Sequence, residues 1–176
     1  MNIAILFGKV GSNFINICKD PSIKIGITYD EKSLALKNKE CNVKKEVISD
    51  QKKLLNKLLE ENISVIFLLG YMKKVPKEII NSFMVINLHP SLLPLHKGLN
   101  AVEKSFKSKT GCGITLHFAS EEIDSGEILI QKEINITNIK TIEEYYIKLK
   151  KIEYIEVKNL LDKIKKLGYN NIETTF

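Results

Sequence analysis

The stretch VINLHPSLLP, residues 85–94, joins a buried strand to two polar side chains that a core strand would not need. Its other positions up to Leu88 are apolar, as in a strand that is covered on both faces. Asn87 and His89 are two positions apart, so their side chains project from the same face of the strand. The prolines that follow cannot continue a central strand. The Asn–His pair is therefore predicted to lie at the rim of a sheet.

Strands and helices alternate on the N-terminal side of this stretch. Short apolar runs predict strands at residues 2–7, 23–29 and 64–70, and amphipathic segments predict helices at residues 50–62 and 76–83. This alternation is typical of an α/β fold with a Rossmann-like, doubly wound and mostly parallel central sheet.

The C-terminal half adds two strands and a long helix. Residues 111–119 and 127–136 are predicted strands, and one amphipathic helix is predicted from Thr141 to about Lys166. No linker or repeat divides the chain, so residues 1–176 are expected to form a single domain.

Composition excludes several classes of protein. The fractions of hydrophobic (44%) and charged (27%) residues are globular, and no apolar run is long enough to span a membrane. The first residues, MNIAILFG, lack the basic head of a signal peptide and are predicted to form a strand. Cys18, Cys41 and Cys112 are scattered, which argues for a reducing compartment and against a disulfide framework or a zinc cluster. We therefore expect a cytoplasmic protein without a metal.

The net charge of +6 comes from lysine alone, because all 27 basic residues are Lys and none is Arg. A lysine-rich solvated surface accounts for most of this charge, and no basic run interleaved with aromatic residues indicates nucleic acid. Any bound phosphate or carboxylate would be held by Lys and backbone N–H groups rather than by the bidentate fork of Arg.

The position of Asn87 and His89 indicates chemistry. Open α/β sheets bind ligands at the carboxyl ends of their strands, and an amide N–H and an imidazole N–H can both donate to one developing oxyanion. Each residue alone also has a structural explanation, as a turn former or a packed histidine.

Several separated motifs carry a family resemblance. INLHPSLLP (86–94), GITLHF (113–118) and EEIDSGEILIQ (121–131), with the glycine loop FGKVGSNF (7–14) and LLGYMKK (68–74), resemble the folate-dependent formyltransferase family. The resemblance runs from residue 1 to about 136, and the members that formylate glycinamide ribonucleotide in purine synthesis match best.

The resemblance implies a catalytic set of Asn87, His89 and Asp124. The implied reaction transfers a formyl group from 10-formyltetrahydrofolate to an amine, without a metal. Asn87 would donate to the oxyanion, His89 would act as acid–base partner, and Asp124 would orient His89. Thr115 and His117 would support the site, whereas His96 has no matched role and is expected at the surface.

The resemblance also implies two substrate regions. The glycine loop would hold the phosphate of the acceptor, although Lys9 and Val10 replace the small and polar residues usual there. Lys9 could contact the phosphate, or the pocket could hold a different acceptor. The expected acceptor-binding residues are Lys9, Gly11, Ser12, Asn13 and Glu153. The expected folate-binding residues are Leu68, Met72, Lys73 and Val75, with Lys73 or Lys74 near the glutamate tail of the folate.

Other functions remain open at this point. The chain could formylate another amine, such as an amino sugar on a nucleotide, or it could be a non-catalytic folate- or nucleotide-binding module. Family members that act on initiator tRNA or hydrolyse the formyl donor carry additional domains, for which a chain of 176 residues leaves no room. The expected partners are small molecules rather than nucleic acid or membrane, and the protein is expected to be a monomer or a homodimer.

Overall fold

The computed structural model describes residues 1–167, which form one seven-stranded sheet with helices on both faces. The strands are β1 (Ile3–Phe7), β2 (Ile23–Thr28), β3 (Lys44–Val47), β4 (Val65–Leu69), β5 (Met84–His89), β6 (Gly113–Phe118) and β7 (Ile128–Glu133). The helices are α1 (Ser12–Ile17), α2 (Gln51–Glu60), α3 (Lys77–Ser82), α4 (Ala101–Ser108) and α5 (Ile142–Leu167), with a 3₁₀ helix at Leu34–Lys37.

The order of the strands is β3-β2-β1-β4-β5-β6-β7. The first five pair in parallel, and β6 and β7 are added antiparallel. The chain proceeds from β1 to one side and then returns to β4 on the other side. Such a reversal opens a crevice beyond the carboxyl ends of the strands, here beyond β1 and β4. The predicted fold class is confirmed.

The central strands are buried on both faces. In β1, Ile3, Ile5 and Phe7 face the layer that contains α1, α4 and α5. Ala4 and Leu6 face the layer that contains α2 and α3. Because both faces of the strand are covered, the sequence reads as a continuous apolar run rather than as an alternating one.

Side chains cap the N-termini of α2 and α5. The side chain of Asp50 accepts a hydrogen bond from the backbone N–H of Lys53 at 2.8 Å. At the start of α5, Thr141 Oγ1 accepts from the N–H of Glu144, and Glu144 Oε2 accepts from the N–H of Thr141, at 3.2 and 3.3 Å. This reciprocal pair is a capping box, and it fixes the start of the helix that closes one side of the cavity.

Two features differ from the sequence-based predictions. Strand β3 was not predicted, because its four residues KKEV are half exposed at the edge of the sheet and lack an apolar run. Cys18 and Cys41 lie side by side with Cα atoms 5.8 Å apart, so these two cysteines are not scattered in space as expected. Packing of α1 against the segment after the 3₁₀ helix brings them together, and a sequence separation of 23 does not reveal this packing. Cys112 is a buried free thiol.

None of the helices within residues 1–167 is both long and apolar enough to cross a bilayer.

Candidate active site

A cavity of about 680 Å³ lies beyond the carboxyl ends of β1, β4 and β5. The glycine loop after β1 and the Gly70–Lys74 loop after β4 both line it. Asn87, His89 and Asp124 all contribute to its wall. Strand β5 and the loop between β6 and β7 therefore bring the three predicted catalytic residues to the crevice that the sheet topology creates.

Asp124 is the centre of the polar cluster. Its Oδ2 accepts a hydrogen bond from the backbone N–H of Gly98 at 2.8 Å and lies 3.2 Å from His89 Nδ1. Its Oδ1 accepts from Asn87 Nδ2 at 3.2 Å. The side chain is only 8% exposed. Burial raises the pKa of this carboxyl, but the imidazole of His117, the N–H of Gly98 and the imidazole of His89 outweigh it, and the net pKa lies below the usual value.

His89 has an acceptor at each ring nitrogen. Nδ1 faces Asp124, and Nε2 lies 3.0 Å from the main-chain carbonyl oxygen of His96. Both acceptors can be satisfied together only when the ring is doubly protonated. Burial nevertheless disfavours the charged ring and lowers the pKa of His89, while Asp124 and the His96 carbonyl act in the opposite direction.

Asn87 uses its amide nitrogen for two contacts inside the protein. Nδ2 donates to Asp124 Oδ1 at 3.2 Å and lies 3.1 Å from His117 Nε2. His117 Nδ1 lies 2.8 Å from the carbonyl oxygen of Phe118, which can only accept, so Nδ1 carries the proton and Nε2 accepts from Asn87. His117 therefore holds the Asn87 amide.

Thr115 supports the site from behind. It lies opposite His89 in the β5–β6 register. Its hydroxyl donates to the carbonyl of Ser91 at 2.7 Å and accepts from the N–H of Leu93 at 3.0 Å. These bonds brace the segment that follows His89.

The acceptor end of the cavity joins the glycine loop to α5. Asn13 Nδ2 donates to Glu153 Oε2 at 2.8 Å, and the ammonium of Lys150 donates to the same oxygen at 2.5 Å. Glu153 is 2% exposed, and Asn13 Oδ1 is buried without a hydrogen-bond partner. The expected residues Lys9, Gly11, Ser12, Asn13 and Glu153 all line this end.

The loop conformation at this end depends on Gly11. Its φ of 66° lies in the left-handed region, and a Cβ there would lie 2.6 Å from Ala35 Cβ and 2.8 Å from Phe7 Cδ2. Only glycine fits such a position without displacing its neighbours. Lys9 and Val10 are exposed on the rim of the cavity.

The wall formed by β4 and the loop after it is more apolar. Leu68 and Val75 are buried there, and Met72 is 59% exposed. The ammonium of Lys73 donates to the Ser49 carbonyl at 3.2 Å and lies 5.2 Å from the centre of the Tyr29 ring. The charge of Lys73 is therefore held by the protein, whereas Lys74 is exposed.

Sequence reasoning missed the groups that hold the site together. The carbonyl of His96 and the N–H of Gly98 are main-chain groups, which leave no signature in a sequence. Lys150 and the bond from Tyr146 to Glu103 (2.6 Å) were missed because lysine, tyrosine and glutamate are ordinary on an amphipathic helix. His96 is half buried rather than at the surface.

The donor set does not suggest a metal. Within residues 1–167, no group of three or more His, Cys, Asp or Glu side chains is arranged to hold an ion.

Comparison with known proteins identifies the family. Residues 27–161 match the model of the formyl transferase family. The chain belongs to this family. The matched region contains all three of the residues around which the polar cluster is built.

Relatives of this formyl transferase chain were found in sequence and in structure. The phosphoribosylglycinamide formyltransferase of Bacillus subtilis (strain 168) is 31% identical over 121 residues, which cover 67% of this chain and 61% of that protein. That of Dictyostelium discoideum is 29% identical, covering 95% of this chain and 92% of its own. The crystal structure of the enzyme of that name from Campylobacter jejuni subsp. jejuni NCTC 11168 superposes with a TM-score of 0.86 at 26% identity, over 93% of this chain and 97% of that chain.

Proposed function

We propose that this protein transfers a formyl group from 10-formyltetrahydrofolate to the amine of glycinamide ribonucleotide, a step of purine biosynthesis. One observation carries the proposal: the Asn87–His89–Asp124 cluster lies in a cavity that is also lined by the glycine loop after β1 and by the Gly70–Lys74 loop after β4. The names of its relatives support the same reaction. We further propose that residues 1–176 form a single cytoplasmic domain, monomeric or homodimeric, with small-molecule partners.

The apolar end fits a folate. Leu68, Val75 and Met72 supply apolar walls for a flat ring system, and the loop at Gly70 can offer backbone groups to its polar edge. When bound, the folate supplies an activated formyl carbon. Lys74 is free to attract the carboxylates of its tail, whereas Lys73 would first have to leave the Ser49 carbonyl.

The overall reaction fixes where protons must go. The amine forms a bond to the formyl carbon, the bond from that carbon to the folate nitrogen breaks, and the proton lost by the amine is returned to that nitrogen. His89 and Asp124 form the acid–base unit, because His89 Nδ1 and Asp124 Oδ2 are 3.2 Å apart. The charge on Asp124 raises the pKa of His89, and the charge on His89 lowers the pKa of Asp124. A protonated His89 also places a positive charge beside the developing oxyanion.

Asn87 must change partners to donate to that oxyanion. Both of its amide hydrogens are directed inside the cluster, to Asp124 and to His117. The bond to a carboxylate is charge-assisted and stronger than the bond to a neutral imidazole. We therefore expect Asn87 to keep Asp124 and to exchange His117 for the oxyanion.

The acceptor end fits a phosphorylated, hydroxyl-bearing amine. Backbone N–H groups near Gly11 and the ammonium groups of Lys9 and Lys150 can face a phosphate, and Glu153 has one carboxylate oxygen beyond the one that Asn13 and Lys150 share. That oxygen can accept from a ribose hydroxyl.

A spectrophotometric assay with 10-formyldideazafolate and glycinamide ribonucleotide tests the proposal. We expect turnover that requires both substrates. Folate binding without turnover would indicate that the acceptor is another amine, such as an amino sugar on a nucleotide. If the protein bound no folate in a direct titration, the proposed reaction would be abandoned.

A further inference from the structure

We propose that His96 is a positioning residue for His89, acting through its own main-chain carbonyl. The inference rests on the proposed function, because it concerns the acid–base group of that reaction. The carbonyl oxygen of His96 is 3.0 Å from His89 Nε2, on the side of the ring opposite Asp124. The orientation of the catalytic ring is therefore set by two acceptors, one of which belongs to residue 96.

The side chain of His96 fixes the direction of that carbonyl. Its Nε2 lies 2.9 Å from the carbonyl oxygen of Thr110, which can only accept, so Nε2 carries a proton and donates. The hydroxyls of Ser108 and Thr110 lie 3.3 and 3.4 Å from the same nitrogen. The ring also packs against Gly111, where a Cβ would lie 3.1 Å from His96 Cδ2.

The backbone of His96 needs this anchor. Its φ of 57° lies in the left-handed region, which residues other than glycine rarely adopt. The bond between the ring and the turn after α4 holds the residue in that conformation, and in this conformation the carbonyl meets His89. The imidazole of His96 thus acts on His89 only indirectly, by fixing the direction of its own main-chain carbonyl, and it does not contact a substrate.

The contact has a definite effect on proton binding. A carbonyl that faces Nε2 stabilises the protonated form of His89 and raises its pKa. The other groups that face the ring are Asp124, which also raises the pKa, and the rings of His117 and His96, which lower it when charged. Loss of the carbonyl contact should therefore lower the pKa of His89.

Three substitutions separate the anchor from other effects. His96→Leu removes the donor, and His96→Gln keeps an N–H at similar reach. Both variants lack the titratable ring, and both place a branched or long side chain at the same left-handed φ, so they differ mainly in the bond to Thr110. His96→Gly removes the anchor without backbone strain, and it replaces the leucine variant if that protein does not fold.

Two measurements decide the proposal. The first is the pKa of His89 in the free protein, followed by NMR of its labelled ring. We expect a pKa about one unit lower in the Leu or Gly variant and unchanged in the Gln variant. The second is steady-state kinetics, in which kcat should fall about tenfold in the Leu or Gly variant, with KM within about twofold, and recover in the Gln variant.

The outcomes are distinguishable. Equal pKa values for His89 in the wild type and the anchor-free variants would overturn the proposal, as would equal losses of kcat in the Gln and Leu variants. If the wild-type protein formylated no acceptor, the proposed function would be rejected. The NMR titration would still decide whether His96 positions His89.

Discussion

Replacing Asp124 by asparagine keeps the shape of the side chain and removes one negative charge from the centre of the cluster. The carboxylate accepts a hydrogen bond from the N–H of Gly98 and pairs with His89 through Oδ2, and it accepts a hydrogen bond from Asn87 through Oδ1. An amide has one accepting oxygen. If that oxygen takes the place of Oδ2, the new NH₂ faces the NH₂ of Asn87, and two donors meet. Asn87 must then turn away from the position in which it is held.

The expected loss is large because two catalytic effects fail together. Removal of one oxyanion donor costs about 10²–10³ in rate, and loss of the carboxylate that orients a catalytic histidine costs about 10⁴ in serine proteases. Effects within one cluster do not add. We therefore expect Asp124→Asn to lower kcat by about 10³–10⁴, with KM nearly unchanged, since Asp124 holds catalytic groups rather than the ends of the substrates.

The assay is the folate-dependent turnover described above, and Glu122→Gln is the matched control. Glu122 lies in the same loop and loses the same charge, but its only ion pair within the described chain is an exposed one with Lys97 at 3.8 Å. The control should retain full activity. An Asp124→Asn variant that is folded and within tenfold of wild-type kcat would refute the central role of this carboxylate.

Three further outcomes follow from the structure. Burial lowers the pKa of His89 below its usual value of 6.5, so as the pH falls this histidine takes up a proton more readily in the unfolded chain than in the folded protein. The free energy of unfolding, measured with urea, should therefore decrease below about pH 6.5. A His89→Gln variant should lack this decrease. Tyr145→Phe should lower the free energy of unfolding by about 1–3 kcal/mol, because the buried N–H of Gly113 donates to that hydroxyl at 3.1 Å; an unchanged urea midpoint would contradict this. Lys9→Gln should raise KM for the phosphorylated acceptor about two- to fivefold at low salt and much less at 0.5 M salt, because the ammonium is exposed; equal KM values at low salt would remove Lys9 from the acceptor site.

The sheet and its rim could be predicted because their signals are local. Strands β1 and β4 are uninterrupted apolar runs, and the caps at Asp50 and Thr141 follow short spacing rules. The rule that ligands bind beyond the carboxyl ends of parallel strands then placed Asn87 and His89 correctly at the cavity.

The contacts inside the site could not be predicted because they are long-range or made by the backbone. Asn13 and Glu153 meet across 140 residues of sequence, and hydrophobic periodicity does not say which helix residue will face a given loop. The Lys73 side chain was expected at the folate, but the nearby Ser49 carbonyl and Tyr29 ring hold its charge. Main-chain acceptors such as the His96 carbonyl depend on conformation, which side-chain identity does not encode.

The arrangement of the site therefore depends on loop conformation as much as on side-chain chemistry. Asp124 itself adopts a φ of 52°, which costs an L-residue about 1–2 kcal/mol. Two residues later, a Cβ on Gly126 would lie 1.7 Å from the Phe118 carbonyl oxygen, so the loop can return to the sheet only at a glycine. The hydrogen bond from Gly98 and the pairing with His89 offset the cost at Asp124. Because the bond from Gly98 joins the loop before α4 to the loop before β7, the Asp124 carboxylate is held in place by the same contacts that organise the polar cluster.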